Sequence, residues 1–149
     1  MTAAELNAIR NYLALSPVLG TAGQPTPEQF AAVAQAGYTV VINLALSTSD
    51  HAIPHEAELV KSLGMTHFHI PVVWEAPTPA DLEIFFKVME RNSDRKTFVH
   101  CALNMRVSAF VYLYRVLRQG VDPAVALADL HRIWHPNPTW QAFIDKALA

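Results

Sequence analysis

The chain has 149 residues, of which 52% are hydrophobic and 16% charged, and its formal net charge at pH 7 is -2. This length and balance suit a globular protein, so we expect residues 1–149 to form one domain. The small negative charge gives no electrostatic reason to expect a nucleic acid or an anionic membrane as partner. There is no apolar run of roughly 18 residues, as a membrane span requires, and no secretion signal is evident. The single cysteine fits a reducing compartment, so we expect a cytoplasmic location.

Strand-like and helix-like segments alternate along the chain. Apolar runs bounded by turn residues predict a short strand and a turn within 16–24 and strands at 38–46, 65–73 and 96–101. Capping residues and closing glycines predict helices at 26–37, 54–64, 78–92 and 106–119, with two more that start at Asp122 and Pro138. This alternation predicts an α/β fold with a central, mostly parallel sheet of four or five strands and helices on both faces.

Three loops of this fold are expected to meet at one edge of the sheet. Ligands of such sheets bind beyond the carboxyl ends of the strands. The loops at those ends are residues 45–53, 73–78 and 101–106. The third loop carries the most informative motif of the chain, TFVHCALNMRVSAF.

This motif places the only cysteine, Cys101, between a strand and a helix, with four residues separating it from Arg106. A thiol is a good nucleophile only as a thiolate, so a reactive site must stabilise the negative charge. The start of the following helix, the backbone amides of residues 102–107 and the Arg106 guanidinium are suited to bind an anion. The competing interpretation is a buried apolar cysteine beside a solvated arginine.

Neighbouring residues suggest supporting roles. His100 could orient the loop through a backbone hydrogen bond. Asn104 could adopt the left-handed conformation that so tight a turn requires. Ser108 could donate a hydrogen bond to the sulfur. The residues expected to bind the oxyanion or line its pocket are Trp74, His100, Ala102, Leu103, Asn104, Met105, Arg106, Val107 and Ser108.

The segment VHCALNMRVS resembles the signature loop of cysteine-dependent protein tyrosine and dual-specificity phosphatases, which reads His-Cys, five residues, Arg, then Ser or Thr. TAGQPTPEQFAAVAQAGYTVVINL resembles the opening of a small bacterial branch related to the N-terminal domain of β-lactamase-hydrolase-like proteins, and HFHIPV resembles the strand before the general-acid loop. The resemblance spans about residues 16–120. It implies that Cys101 attacks phosphorus, Arg106 clamps the equatorial oxygens and an acid protonates the leaving group.

The sequence departs from that family at two places. Arg106 lies one position early, and Val107 occupies the usual arginine position. In the family the acid is an aspartate soon after the Ile-Pro-Val strand, whereas IPVVWEAP has Trp74 near that position and Glu75 next to it. Glu75 is therefore the expected general acid. The other acids considered are Asp50 and Asp81.

The short loop leaves alternative functions open. It also resembles the cysteine loop of rhodanese-like sulfurtransferases, in which Cys101 would carry a persulfide. A third alternative is a non-catalytic module that binds an oxyanion or a phosphopeptide. For a phosphatase, the expected partner is a phosphorylated protein or a small-molecule phosphoester, and inorganic phosphate or sulfate could occupy the loop. The oligomeric state stays open.

Two histidine pairs invite a metal-binding interpretation. His67 and His69 alternate along a strand, and His131 and His135 are four residues apart on a predicted helix. Neither pair has a third ligand at a suitable spacing, so we interpret both as structural. No cofactor and no metal are expected.

Overall fold

The computed structural model describes residues 2–149, which form five strands and seven helices. The strands are β1 (Leu13–Ser16), β2 (Leu19–Ala22), β3 (Val40–Asn43), β4 (Thr66–His69) and β5 (Thr97–His100). The helices are α1 (Thr2–Asn7), α2 (Pro27–Gln35), α3 (Glu56–Ser62), α4 (Pro79–Arg91), α5 (Met105–Leu117), α6 (Pro123–Ile133) and α7 (Pro138–Leu148).

The sheet has the strand order β1-β2-β5-β3-β4. Strand β1 pairs antiparallel with β2, and the other neighbours are parallel. The predicted α/β class with a mostly parallel sheet is therefore confirmed. The short strand predicted within 16–24 is β2, and it forms a hairpin with β1, a strand that was not predicted and that ends at Ser16.

Both faces of the sheet are covered by helices. Along β3, Val40 and Ile42 point into a core formed largely with α4, α5 and α7, whereas Val41 points into a second core formed with α1, α2 and α3. Alternate residues of a strand face opposite sides, so an apolar run such as YTVVINLAL satisfies two cores at once. This double burial explains why the run does not alternate with polar residues.

The helix starts follow the capping signals of the sequence. Thr26 and Gln29 form a reciprocal capping box at the start of α2, with Pro27 at the first helical position. Thr78, Asp122 and Asn137 cap α4, α6 and α7 with their side chains. Such caps satisfy amide groups that otherwise lack a partner in the first helical turn. In the part of the chain described, no helix has both the length and the apolar character needed to cross a membrane.

Candidate active site

A cavity of about 310 Å³ lies at the carboxyl edge of the sheet, where the three predicted loops meet. Its walls come from the loops after β3, β4 and β5, as expected of a parallel sheet. The lining residues are Leu46, Thr48, Ser49, Asp50, Trp74, Glu75, Cys101, Ala102, Leu103, Met105 and Arg106. The structure thus brings together all three residues predicted to be catalytic, Cys101, Arg106 and Glu75.

Cys101 directly follows β5 and is a free, buried cysteine with 1% of its surface exposed. Its amide donates to the carbonyl of Ala22 at 3.3 Å, which extends the pairing of β5 with β2 by one residue. The position of the sulfur-bearing residue is therefore fixed by the centre of the sheet.

The loop that follows Cys101 is fixed by hydrogen bonds from the N-terminal part of the chain to its backbone carbonyls. The Gln24 amide donates to the carbonyl of Ala102 at 3.0 Å, and the Asn11 side chain donates to the carbonyl of Leu103 at 2.9 Å. A trans peptide points its N–H away from its carbonyl. The Leu103 amide therefore faces away from Gln24.

Gly23 allows the loop to approach this closely. A β-carbon at this position would lie 2.5 Å from the carbonyl oxygen of Ala102 and 3.0 Å from that of Arg10. Both are backbone atoms, so a side chain larger than hydrogen would displace the loop that carries Cys101.

Asn104 turns the chain into α5 in the left-handed conformation, with φ 67° and ψ 2°, as the sequence predicted. Its side chain donates to the carbonyl of Asn11 at 2.9 Å and to Thr21 Oγ1 at 3.1 Å. Within residues 2–149 it makes no capping hydrogen bond to α5. The first amide bonded to Asn104 is that of Ser108, so the amides of 105–107 are left for another acceptor.

Arg106 spans the cavity from the first turn of α5. Its Nη1 donates to the carbonyl of Val72 at 3.0 Å, and its Nη2 donates to Ser49 Oγ at 3.4 Å. The guanidinium carbon lies 6.0 Å from the centre of the Trp74 ring, within cation–π range. The side chain is nearly buried, so the cation is fixed at the wall that it shares with Cys101.

His100 lies behind the loop and is fully buried. Its Nδ1 is 3.3 Å from the carbonyl oxygen of Cys101, which is the expected backbone hydrogen bond. Its Nε2 is 2.8 Å from Glu56 Oε2 at the start of α3. The same carboxylate accepts from His67 Nε2 at 2.8 Å and from Gln24 Nε2 at 2.9 Å.

Glu56 is the functional candidate that the sequence interpretation missed. Burial raises the pKa of its carboxyl, but the charge of His100 and the hydrogen bonds from His100, His67 and Gln24 outweigh burial and hold that pKa well below the ordinary value. Glu56 is 44 residues from His100 in the sequence. The sequence showed only that Glu56 lies in the first turn of a predicted helix. Glutamate is common there because the helix dipole favours a negative charge, so the position did not indicate a functional role.

Four of the residues expected to bind the oxyanion or line the pocket do not line the cavity in the structure. Asn104, Val107 and His100 shape the loop but do not line the cavity. The expected hydrogen bond from Ser108 to the sulfur is not made. Its hydroxyl donates to the carbonyl of Met105 at 2.8 Å and accepts from Trp134 Nε1 at 3.0 Å. The single hydroxyl proton of Ser108 is therefore used within α5, and the oxygen binds the residue that follows α6.

The candidate acids also separate by position. Glu75 is exposed and lines the cavity, and Asp50 lines it from the neighbouring loop. Asp81 lies in the first turn of α4, where its amide donates to Thr78 Oγ1, and it does not line the cavity. Trp74 is half-buried, and its carbonyl accepts from Trp140 Nε1 at 2.9 Å, which anchors the loop beside Glu75 to α7.

The histidine pairs form no metal cluster. Among residues 2–149, no group of at least three His, Cys, Asp or Glu side chains could hold a metal ion. His67 and His69 each use Nε2, towards Glu56 and the carbonyl of Ala45 respectively. His131 and His135 were predicted to lie on one helix. This is wrong, because α6 ends at Ile133 and His135 lies beyond it.

Solved structures of similar fold include phosphatases. A crystal structure of a candidate phosphatase from Shewanella putrefaciens CN-32 is 38% identical with a TM-score of 0.87, over 97% of this chain and 95% of that one. TpbA of P. aeruginosa is 16% identical with a TM-score of 0.74, over 92% of this chain and 84% of that one. The second likeness concerns the fold alone.

Sequence relatives point the same way. A beta-lactamase hydrolase-like protein of Xylella fastidiosa is 27% identical over 118 residues, and the chain spans 27% of the length of that relative. The sequence model of the family described as "DSP-PTPase phosphatase fused to NAD+ Kinase" matches residues 14–140. The match covers most of the chain and includes the whole cavity wall, so the chain belongs to this DSP-PTPase family of phosphatases.

Proposed function

We propose that this protein hydrolyses a phosphomonoester through a phosphocysteine intermediate on Cys101. The observation that carries the proposal is the cavity in which Cys101, Arg106 and the uncapped start of α5 share one wall. A nucleophile, a fixed cation and free amides are the parts that transfer of a phosphoryl group requires.

In the first step, the Cys101 thiolate attacks phosphorus and the bond from phosphorus to the ester oxygen breaks. The departing oxygen takes a proton from Glu75, so the alcohol leaves neutral. In the second step, water attacks phosphorus, the Glu75 carboxylate takes a proton from that water, and the phosphorus–sulfur bond breaks. Phosphate leaves, and both side chains return to their starting states.

Arg106 and the start of α5 stabilise the charge that spreads over the equatorial oxygens. The guanidinium offers paired N–H donors, which match two oxygens of a phosphoryl group. The amides of 105–107 point out of a helix N-terminus, where an anion is favoured by the aligned peptide dipoles. Because these groups are positioned before the substrate arrives, little reorganisation is needed during the reaction.

The charges around the cavity favour a substrate with a single phosphate. The wall has one arginine, Arg106, whereas Asp50 and Glu75 are carboxylates. Further phosphates on a substrate would meet these carboxylates and be repelled. Trp74 offers an aromatic surface beside the phosphoryl site, and the fold relative TpbA has been solved with phosphotyrosine. A phosphotyrosyl peptide or an aryl phosphate is therefore the substrate class to test first.

The experiment is a paired assay of the wild type and Cys101→Ser with two substrate systems. An aryl phosphate tests the phosphatase, and thiosulfate with cyanide tests the sulfurtransferase. We expect phosphate release that is lost in Cys101→Ser and no thiocyanate. Cys101-dependent thiocyanate without phosphate release would replace the proposal with the persulfide alternative. Phosphate binding without either product would leave a binding module.

A further inference from the structure

A buried cluster lies behind the Cys101 loop, on the side away from the cavity. Its centre is Glu56, whose Oε2 is 2.8 Å from both His100 Nε2 and His67 Nε2, and whose Oε1 is 2.9 Å from Gln24 Nε2. The exposed fraction of the side chain is 0% for His100, 7% for Glu56 and 6% for His67. A polar cluster so deeply buried costs stability unless each hydrogen bond is made.

The hydrogen-bond partners favour an ionised Glu56. A side-chain amide nitrogen can only donate, so Gln24 donates to Oε1. Both histidine nitrogens then meet Oε2, and a protonated Oε2 would donate to one of them and be a weaker acceptor for the other. An ionised carboxylate accepts from both, which agrees with the lowered pKa of Glu56.

The same reasoning applies to the ring of His100. Its Nε2 faces the Glu56 carboxylate at 2.8 Å, and its Nδ1 faces the carbonyl oxygen of Cys101 at 3.3 Å. Both partners are acceptors, so each contact is a hydrogen bond only when the ring nitrogen carries a proton. A ring with protons on both nitrogens is an imidazolium, whose charge Glu56 balances.

We propose that Glu56 is a positioning residue that holds His100 as an imidazolium, so that the ring binds the Cys101 carbonyl and places a buried positive charge beside the nucleophile. The inference rests on the proposed function for its catalytic meaning. Glu56 touches neither the cavity wall nor the reacting atoms, so it acts through His100. Without Glu56, His100 would keep one proton and lose one of its two contacts.

The surroundings of His100 single out Glu56 as the group that balances its charge. Two titratable residues face the His100 ring, Glu56 from α3 and Cys101 from the loop. His67 of β4 is linked to the ring only through the shared Glu56 carboxylate. The remaining ring contacts are aromatic, with Phe30 of α2 edge-on at 5.7 Å and Phe98 of β5 at 6.3 Å. Gln24, Glu56 and His67 also border a second cavity of about 540 Å³.

The test compares wild type, Glu56→Gln and Glu58→Gln. Glu58 lies on the same helix, but its side chain is 81% exposed, so its variant is a matched control. Two quantities are measured without any phosphoester: the NMR signals of the His100 ring nitrogens in isotope-labelled protein, and the rate of Cys101 alkylation against pH. Glu56→Asp, which keeps the charge, serves as a rescue variant.

We expect both His100 nitrogens to be protonated at neutral pH in the wild type and in Glu58→Gln. In Glu56→Gln one proton should be lost, and the midpoint of Cys101 alkylation should rise by about one pH unit, which is roughly tenfold slower alkylation below the midpoint. Glu56→Asp should restore part of the difference. A purely structural role would lower stability and leave that midpoint unchanged.

The outcomes separate the two proposals. A wild-type His100 with a single ring proton overturns the inference, and this holds even when Glu56→Gln does not fold. An unchanged alkylation midpoint in folded Glu56→Gln also overturns it, whatever the phosphatase activity. If the imidazolium and the midpoint shift are observed but no phosphoester is hydrolysed, the inference on Glu56 stands and the proposed function fails.

Discussion

The starts of α5 and α7 differ although each has an asparagine at the position before the helix. Asn137 has an extended backbone with φ −70° and ψ 171°, and its Oδ1 accepts from the amide of Trp140 at 2.9 Å. Asn104 has a left-handed backbone, and its side chain points back to Asn11 and Thr21. One asparagine closes its helix, whereas the other leaves the first turn open.

This difference separates a helix start that stabilises the fold from one that can bind a ligand. A side-chain cap satisfies an amide within the protein and makes the helix end self-sufficient. An uncapped start has N–H groups and dipole charge for an external anion. Only the start of α5 is combined with Cys101 and Arg106 on a cavity wall in the described chain.

The largest effect is expected at Glu75, which would donate the proton to the leaving group. Glu75→Gln keeps the shape but cannot give up a proton, so turnover of an ordinary phosphoester should fall by about 10²–10⁴. An activated aryl ester needs little help from an acid and should lose much less. Turnover is measured on both ester types. Equal losses on the two would assign Glu75 a positioning role, and unchanged rates would direct the search to Asp50.

Removal of the cation tests whether the wall at α5 stabilises the transferred group. Arg106→Ala should lower turnover by about 10²–10³, the usual loss for one donor to a developing oxyanion. Arg106→Lys should remain impaired because an ammonium lacks the paired donors. Arg132→Ala is the control, since Arg132 lies on α6 with 63% of its side chain exposed and does not line the cavity. Steady-state kinetics of these variants decide the point, and equal effects of Arg106→Ala and Arg132→Ala would show that the cation at the start of α5 has no special role in turnover.

Gly23 tests how far the loop depends on its close support. Gly23→Ala places a β-carbon 2.5 Å from the carbonyl oxygen of Ala102, so we expect a loss of about 1–3 kcal/mol in unfolding free energy and reduced turnover per folded molecule. Gly20→Ala is the matched control, because its β-carbon would meet the Tyr38 hydroxyl at 2.3 Å instead of the loop. Denaturant unfolding and turnover are measured together. Full turnover in folded Gly23→Ala would contradict the close-support argument.

The smallest effects compare the two asparagines directly. Asn137→Ala removes a cap and should cost about 1 kcal/mol of stability without a change in turnover. Asn104→Ala must hold a left-handed backbone at a cost of about 1–2 kcal/mol, and turnover should fall because the loop shifts. Asn104→Gly adopts that backbone easily and should retain more turnover than Asn104→Ala. If Asn137→Ala reduced turnover as much as Asn104→Ala, the open helix start would have no special role.

The sequence predicted those features whose signals are local. Thr26, Pro27 and Gln29 specify a helix start within four residues, and the run around Val41 specifies a doubly buried strand. The strand Leu13–Ser16 was missed because it lies at the edge of the sheet, pairs only with β2 and has one buried residue, Leu13. Short edge strands need few apolar residues, so they leave a weak pattern.

In the candidate site too, the residues with a local sequence signal were predicted and those that depend on distant contacts were not. Cys101, Arg106 and Asn104 lie within six residues, so their spacing carried the prediction. The partnership of Glu56 with His100 joins α3 to β5 across the sheet, and no pattern within either segment indicates it. The hydroxyl of Ser108 was misassigned because its partners, Met105 and Trp134, depend on how α5 packs against the end of α6.

A phosphocysteine intermediate on Cys101 can be trapped and identified. Wild-type protein is mixed with an aryl phosphate, quenched within one turnover, digested and examined by mass spectrometry, with Cys101→Ser in parallel. We predict a phosphate on the peptide that contains Cys101 in the wild type. Turnover that proceeds without phosphate on this peptide, or that continues in Cys101→Ser, would contradict the account.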